Sequence, residues 1–396
     1  MESLLTFEQA QERVLARVRP LGAEDVPVGA AAGRFASADV AALVDLPPFA
    51  SSAMDGYALR SADLPGTLRV VGESAAGAPF AGRLEPGEAV AISTGAVVPE
   101  GADAVAQIEI VGKMDNGIEV PALEGGANVR PPGGDIHAGT TVVPAGIRLG
   151  PAHVAAAAAA GVASVQCARL PRVAVIATGS ELVPAGRPLA PGQVYEANGA
   201  MLVVSLAAAP AEVAPPETVG DDEAALRSIL GRALSQADVL VTSGGVSVGE
   251  HDLVRAIEGE LGVVEDFWRV ALKPGKPLAF GLRGDVLVFG LPGNPVSALV
   301  GAELFVKPAL RALQGAAQPL PPLEPGRLAA GLRRDPERDQ FVRARTRREG
   351  DAVLLEPVRG QESHMIARSA AADALVHVPR GNGLLEAGSA VSYLRL

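Results

Sequence analysis

Asp238-Val239-Leu240-Val241-Thr242, continuing into Ser243-Gly244-Gly245-Val246-Ser247-Val248-Gly249, is a short apolar run that leads into a loop of glycines and serines. An apolar run of this length bounded by turn residues predicts a buried strand, and the loop predicts a turn into the next helix. A plain turn does not need three glycines and two serines. Glycine lets backbone N–H groups approach a ligand closely, and serine adds hydroxyl donors. The stretch therefore predicts a strand of an α/β sheet whose carboxyl end holds phosphate or another oxyanion.

The flanking sequence repeats the pattern. Arg172–Ala177 reads as a strand ending in Thr178-Gly179-Ser180-Glu181, and Val286–Gly290 as a strand ending in Leu291-Pro292-Gly293-Asn294-Pro295. Helix-length amphipathic segments separate them: Asn198–Ala209, a helix opened by Asp221-Asp222-Glu223 with Leu226, Ile229, Leu230 and Leu234 on one face, Glu250–Leu261, and Pro295–Leu313. Strands alternating with helices from Arg172 to Gln314 predict a parallel α/β sheet, in which such loops converge at one edge.

Elsewhere the pattern differs. Thr6-x-x-Gln9 is a capping box ahead of Val14, Leu15 and Val18, so the first segment reads as an amphipathic helix and not a signal peptide. Between Leu68 and Pro144 short alternating runs separated by Gly, Pro and Asn predict a small antiparallel β domain. Pro151–Gly161 is nearly pure alanine and reads as a packing helix, Gln318–Gly326 as a Pro-rich linker, and the chain from Arg327 as a small terminal β domain.

Composition narrows the chemistry. The 396 residues are 48% apolar but only 3% aromatic, which supplies several cores and argues against stacking platforms for single-stranded nucleic acid. A net charge of −11 argues against general binding to nucleic acid or anionic membranes. The one cysteine, Cys167, excludes an internal disulfide and any multi-Cys metal site, so a reducing, cytoplasmic setting is expected. Five histidines show no ligand spacing such as His-Glu-x-x-His, which argues against catalytic zinc. Neither a P-loop nor a well-placed Gly-x-Gly-x-x-Gly is present. Lysine is rare: of 34 basic residues only Lys113, Lys273, Lys276 and Lys307 are not arginine. Two of those four stand in Lys273-Pro274-Gly275-Lys276-Pro277, as a pair of compact ammonium groups suited to an anion. Asp55, Asp135, Glu181, Asp221 and Asp252, all in loop contexts, are the metal candidates, and carboxylates beside phosphate donors suit Mg²⁺. Asp221 reads equally as a helix N-cap, and Glu181 and Asp252 as first-turn charges.

Ser51-Ser52-Ala53-Met54-Asp55-Gly56-Tyr57-Ala58, Ser93-Thr94-Gly95-Ala96 with Pro99-Glu100-Gly101-Ala102-Asp103, Thr242–Gly249 with Glu250 and Asp252, Lys273–Pro277 and Leu291–Ala298 occur in one order along nearly the whole chain. Together they resemble the MoeA family of molybdopterin molybdenumtransferases, also found as the E domain of gephyrin. The resemblance implies an α/β and β multidomain fold. It comprises a three-layer, MogA-like molybdopterin-binding domain with a parallel-rich sheet (1–21 plus 169–316), a β-rich domain (46–135), a mixed linking domain (22–45 plus 136–168) and a C-terminal β-barrel (327–396). It implies Mg²⁺-dependent insertion of molybdate into adenylylated molybdopterin, with release of AMP and molybdenum cofactor, by an elongated homodimer. Asp55 and Thr94 would face the α/β loops of the other subunit.

By the same resemblance Asp135, Glu181, Asp221, Asp252, Pro292 and Pro295 are needed for activity. Glu181, Asp221 and Asp252 would hold Mg²⁺. Ser243, Gly244, Gly245, Ser247, Gly249, Lys273, Lys276, Asn294 and Ser297 would bind phosphate and molybdate. Partners are small molecules, a second copy and, as a candidate, the molybdopterin adenylyltransferase; neither nucleic acid nor membrane is expected. The chain departs from the family at Ser180 and Gly134, where acidic or amide residues are common, and at Glu362 and Asp373 in the terminal domain. An adenylyltransferase sharing the α/β domain and a non-catalytic scaffold of the same fold are the alternatives.

Overall fold

Arg172–Thr178, Val239–Ser243 and Val286–Leu291 lie side by side in parallel, as the alternating pattern predicts. The computed structural model describes residues 4–245 and 253–396; the readings placed on Ser247, Gly249, Glu250 and Asp252 lie outside the described residues. Successive side chains of these strands point to opposite faces. Val173, Val175, Val239, Val241, Leu287 and Phe289 pack into one core with Phe7, Ala10 and Val14 of the first helix (Phe7–Arg17), with Leu202 and Leu206, and with the last helical stretch. Ile176, Leu240 and Val288 face the other way, onto Leu226, Leu230 and Leu234 of Glu223–Gln236 and Val254 and Ile257 of Leu253–Glu260. The result is a three-layer α/β unit.

Three features of this unit differ from the sequence reading. Its seven-stranded sheet is mixed: Ala279–Arg283 and Val264–Trp268 add antiparallel pairings at one edge. The stretch Pro295–Leu313 is helical throughout but not uniformly α: Pro295–Gly301 and Lys307–Leu313 are α, and Ala302–Val306 between them is π-helical. Pro308 has no N–H to give to the preceding turn, which accounts for a wider turn just before it. The short strand Glu217–Val219, unsuspected beforehand, runs parallel to Arg172–Thr178 and pairs Val219 with Thr178.

The sequence of the first helix is met in detail: Thr6 Oγ1 accepts from Gln9 N–H at 3.2 Å while Gln9 Oε1 accepts from Thr6 N–H at 3.0 Å. After it the chain leaves the α/β unit. Ala23–Pro27 pairs with Ser164–Ala168 and Val40–Ala41 with Thr141–Val143, around a core that includes Val26, Val143, Val165 and the buried Cys167. The helix Pro151–Ala159 closes that core through Ala157. Between these returns lies a six-stranded sheet containing Gly56–Leu59, Gly66–Ser74 and Glu88–Ile92. It is mixed and not purely antiparallel, because Gly66–Ser74 and Glu88–Ile92 run parallel.

The terminal unit is a closed barrel. Asp339–Glu349, Ala352–Pro357, Glu324–Leu328, Ala390–Arg395 and Ala374–Val378 pair in turn, and the last pairs back onto the first. Glu324–Leu328 begins inside the segment read as a linker. The barrel is joined to the α/β unit at Leu272–Lys273, which pairs in parallel with Asp339 and Gln340. Among the described residues no helix is long and apolar enough to cross a membrane.

Asp238 anchors the sheet's amino end. Arg169 donates two hydrogen bonds of 2.7 Å to its two carboxylate oxygens, and Arg172 N–H adds a third at 2.8 Å. Burial works against the Asp238 charge, but the hydrogen bonds and nearby charges of Arg169 and Arg172 outweigh it and hold the carboxyl below its usual range. A lowered carboxyl pKa contributes stability above the unfolded-state value of about 3.9 and loses it as pH falls through the folded value. Asp238→Ala is therefore expected to cost about 1–2 kcal/mol at pH 7, an amount discounted for the part-exposed arginine. The deficit relative to wild type should shrink in urea unfolding curves as the pH is lowered from 7 through the carboxylate range.

Candidate active site

Thr178, Val219, Ser243 and Leu291 end neighbouring parallel strands: Val219 lies beside Thr178, and Ser243 lies between Ala177 and Leu291. The loops that follow therefore emerge at one edge of the sheet. They wall a cleft of ≈ 720 Å³ to which Glu181, Asp221, Gly244, Gly245, Pro292 and Asn294 contribute. Ser243 and Pro295 line it as well.

Backbone geometry explains the glycines. Gly244 has φ +99° and Gly245 φ +67°, in the left-handed region. A Cβ on Gly244 would stand 2.4 Å from Thr178 O, and one on Gly245 2.3 Å from Val254 Cγ2. Only glycine lets the loop turn this tightly against the Arg172–Thr178 strand, which leaves its backbone at the cleft wall.

Asn198, unassigned by the sequence reading, holds two of these loops together. Its side chain is buried, and Nδ2 donates to Ser243 Oγ and to Gly293 O, both at 2.8 Å. Asn198 Oδ1 is buried without a hydrogen-bond partner among the described residues. In the sequence an amide opening a helix reads as an ordinary cap, and its partners are 45 and 95 residues away.

The ambiguity at Asp221 resolves. The N-cap of Glu223–Gln236 is Asp222, whose carboxylate accepts from Ala225 N–H at 2.8 Å. Asp221 instead faces the neighbouring loop: Ser180 N–H donates to its Oδ2 at 3.2 Å, and Asp221 N–H donates to Ser180 Oγ at 2.9 Å. Ser180 thus serves as a small reciprocal partner that joins the two loops, and Asp221 and Glu181 both line the cleft.

The barrel supplies one wall, through His364 and Ile366. Arg343, fully buried, organises this loop by donating to Met365 O at 2.6 Å, Ser369 Oγ at 2.7 Å and Gly360 O at 2.7 Å. Ser363 O in turn accepts from Val296 N–H at 3.1 Å, which seats the loop beside Pro295. Asp373, one of the departures from the family pattern, accepts from Thr346 N–H and Oγ1, both at 2.7 Å, and so stabilises the barrel.

Other residues singled out from the sequence lie off the cleft wall. Lys273 and Lys276 are exposed on the turn before Pro277, itself a lining residue, and Lys273 Nζ is 3.4 Å from Asp335 of the barrel. Ser297 is buried in the first turn of its helix. Asp135 is exposed, with its N–H on Leu46 O at 2.8 Å. Asp55 and Thr94 meet each other: Asp55 Oδ1 accepts from Thr94 N–H at 2.6 Å and Thr94 Oγ1 at 3.0 Å. These two hydrogen bonds, the backbone one foremost, hold the Asp55 carboxyl below its usual range although it is exposed. None of Asp55, Thr94 and Asp135 lines the cleft of the same chain.

The chain matches three family models in succession: the MoeA N-terminal region (domains I and II) over residues 5–161, a probable molybdopterin binding domain over 174–312, and the MoeA C-terminal region (domain IV) over 325–396. It is 36% identical to a molybdopterin molybdenumtransferase of Haemophilus influenzae, with 98% of each chain covered. It is 37% identical to molybdopterin molybdenumtransferase 2 of Mycobacterium tuberculosis, with 96% of each covered. A crystal structure of the molybdopterin biosynthesis MoeA protein of Pyrococcus horikoshii superposes with a TM-score of 0.84 at 33% identity, over 99% of both chains. The identity and coverage span every unit of the fold, and the chain belongs to the MoeA family of molybdopterin molybdenumtransferases.

Proposed function

We propose that this chain inserts molybdate into adenylylated molybdopterin, releasing AMP and molybdenum cofactor, with Mg²⁺ as the metal. The observation that carries the reading is the shared cleft, which the left-handed Gly244-Gly245 backbone lines together with Glu181 and Asp221. Substrate and oxyanion are both negative. Loop N–H groups and the Lys273 and Lys276 ammonium groups would gather them, while Asn198 keeps the Ser243 and Gly293 loops in register. Hard oxygen donors at Glu181 and Asp221 suit Mg²⁺, with Asp252 as the third assigned carboxylate, and the ion when bound neutralises phosphate charge. A molybdate oxygen would attack the molybdopterin-side phosphorus, the P–O bond to AMP breaks and AMP leaves. The Mo–O bond to that phosphate then breaks as two Mo–S bonds form to the dithiolene with loss of its protons. The protein needs no nucleophile of its own, and its work is to bind, orient and neutralise.

Asp55 and Thr94 stand off the cleft of their own chain, which supports a homodimer in which they complete the partner's cleft. Asp135 and Lys276 are assigned to the same activity by motif. A cytoplasmic setting and the adenylyltransferase as a supplier of substrate complete the proposal. Purified protein given adenylyl-molybdopterin, Mg²⁺ and molybdate is expected to release AMP without ATP. No release would overturn the reading, and consumption of ATP with free molybdopterin would assign the adenylyltransferase reaction instead.

A further inference from the structure

Away from the cleft, the first helix, the start of the barrel strand Asp339–Glu349 and the strand Ala374–Val378 bring Glu8, Asp339 and His377 together, with one ligand atom from each all within 4.8 Å of one another. We propose that these residues form a divalent transition-metal site, suited to Zn²⁺, that clamps the first helix of the α/β unit onto the barrel.

The arrangement has the parts of a built site. His377 Nε2 lies 3.0 Å from Asp339 Oδ1. Two donors bound to one Zn²⁺ at about 2.0–2.2 Å in a tetrahedron lie about 3.4 Å apart, so this pair is already near ligating distance. Asp339 is 5% exposed, and Arg380 N–H donates to its Oδ1 at 3.3 Å, an outer hydrogen bond of the kind that orients a ligating carboxylate. The imidazole is fixed on both sides. It stacks on Phe341 with centroids 5.1 Å apart and 16° between planes, and meets the edge of Phe7 at 5.0 Å. Glu8, exposed in the first turn of its helix, supplies the third ligand and leaves the fourth position to water. An imidazole with two carboxylates selects zinc-like ions over Mg²⁺, which prefers six oxygens.

The clamp bears on the active site through the barrel. His364 and Ile366 reach the cleft from the barrel, and Lys273 is paired to its edge, so holding the barrel to the first helix holds one wall of the cleft.

The full-length chain, stripped with a chelator and desalted, is titrated with Co²⁺ and then Zn²⁺. A visible absorption band of four-coordinate Co²⁺ is expected at one equivalent per chain and should be bleached by Zn²⁺. His377→Phe keeps a ring between Phe7 and Phe341 but has no donor, and should abolish the band. Glu8→Gln changes an exposed side chain and should weaken Zn²⁺ binding at least tenfold while leaving the fold intact. Both variants retain the cleft carboxylates, so the difference reports this site alone. Absence of the band in the wild type, or equal Zn²⁺ affinity in the wild type and both variants, overturns the assignment and leaves a hydrogen-bonded seam.

Discussion

Replacing Asp221 by Asn is expected to lower the rate of AMP release about 100-fold while leaving the protein folded. Asparagine retains an oxygen in place of Oδ2 for the Ser180 N–H, and the Asp221 N–H bond to Ser180 Oγ is a backbone contact, so the two loops remain clasped. What is removed is the charge. A carboxylate would act on the phosphoryl charge only through the Mg²⁺ it helps to hold, and losing one preorganised electrostatic contact of this kind typically costs about 10²–10³ in rate. If the charge acts on Mg²⁺, the concentration of Mg²⁺ needed for half-maximal rate should rise in the variant. Asp222→Asn, one residue away, is the matched control: it alters the N-cap of Glu223–Gln236, where Asn caps about as well as Asp, and should leave turnover unchanged. Steady-state AMP release over a Mg²⁺ series checks both. Wild-type turnover in Asp221→Asn at every Mg²⁺ concentration would remove Asp221 from the machinery.

Gly244→Ala should be more damaging, for a different reason. The methyl group would collide with the Thr178 carbonyl at 2.4 Å and with Thr178 Oγ1 at 2.8 Å, on a backbone held at φ +99°. The strained dihedral and the overpacking each cost about 1–3 kcal/mol, so a loss of about 2–6 kcal/mol is expected. The alternative to paying it is for the loop to shift off the strand edge, which moves the backbone donors and should abolish AMP release. Gly293→Ala is the contrast within the same cleft. Its nearest neighbour would be Gly244 Cα at 3.5 Å, an ordinary contact, so unfolding midpoints in urea should stay close to wild type. Equal stability of the two variants would contradict the close approach on which the reading of the glycine loop depends.

Much of this site was legible before the fold was known. The Ser243-Gly244-Gly245 run and the Leu291–Pro295 loop, both of which reach the cleft, are short-range features: a left-handed glycine backbone and a Pro-Gly turn are set by the residues themselves and need no distant partner. The strands Arg172–Thr178, Val239–Ser243 and Val286–Leu291 were equally clear, because strands buried on both faces read as continuous apolar runs. The edge strand Val264–Trp268 was not. Its Glu265 and Asp266 interrupt the apolar pattern, and its pairing with Ala279–Arg283 carries a register shift. Glu217–Val219 was missed because three residues show no periodicity, and with it the reason why Asp221, and not Asp222, faces the cleft.

By itself the amino-acid sequence determined the α/β unit, the glycine loops at the carboxyl ends of its strands and the family to which the chain belongs, since each depends on residue order and local backbone chemistry. Tertiary structure alone decided which side chains converge. Asn198 reaches Gly293, Arg343 shapes the barrel wall of the cleft, and Glu8 meets Asp339 and His377 although the histidines show no ligand spacing along the chain. The physical reason is range: a turn is settled within a few residues, whereas these meetings are set by how the helices, the sheet and the barrel bury their apolar faces against one another.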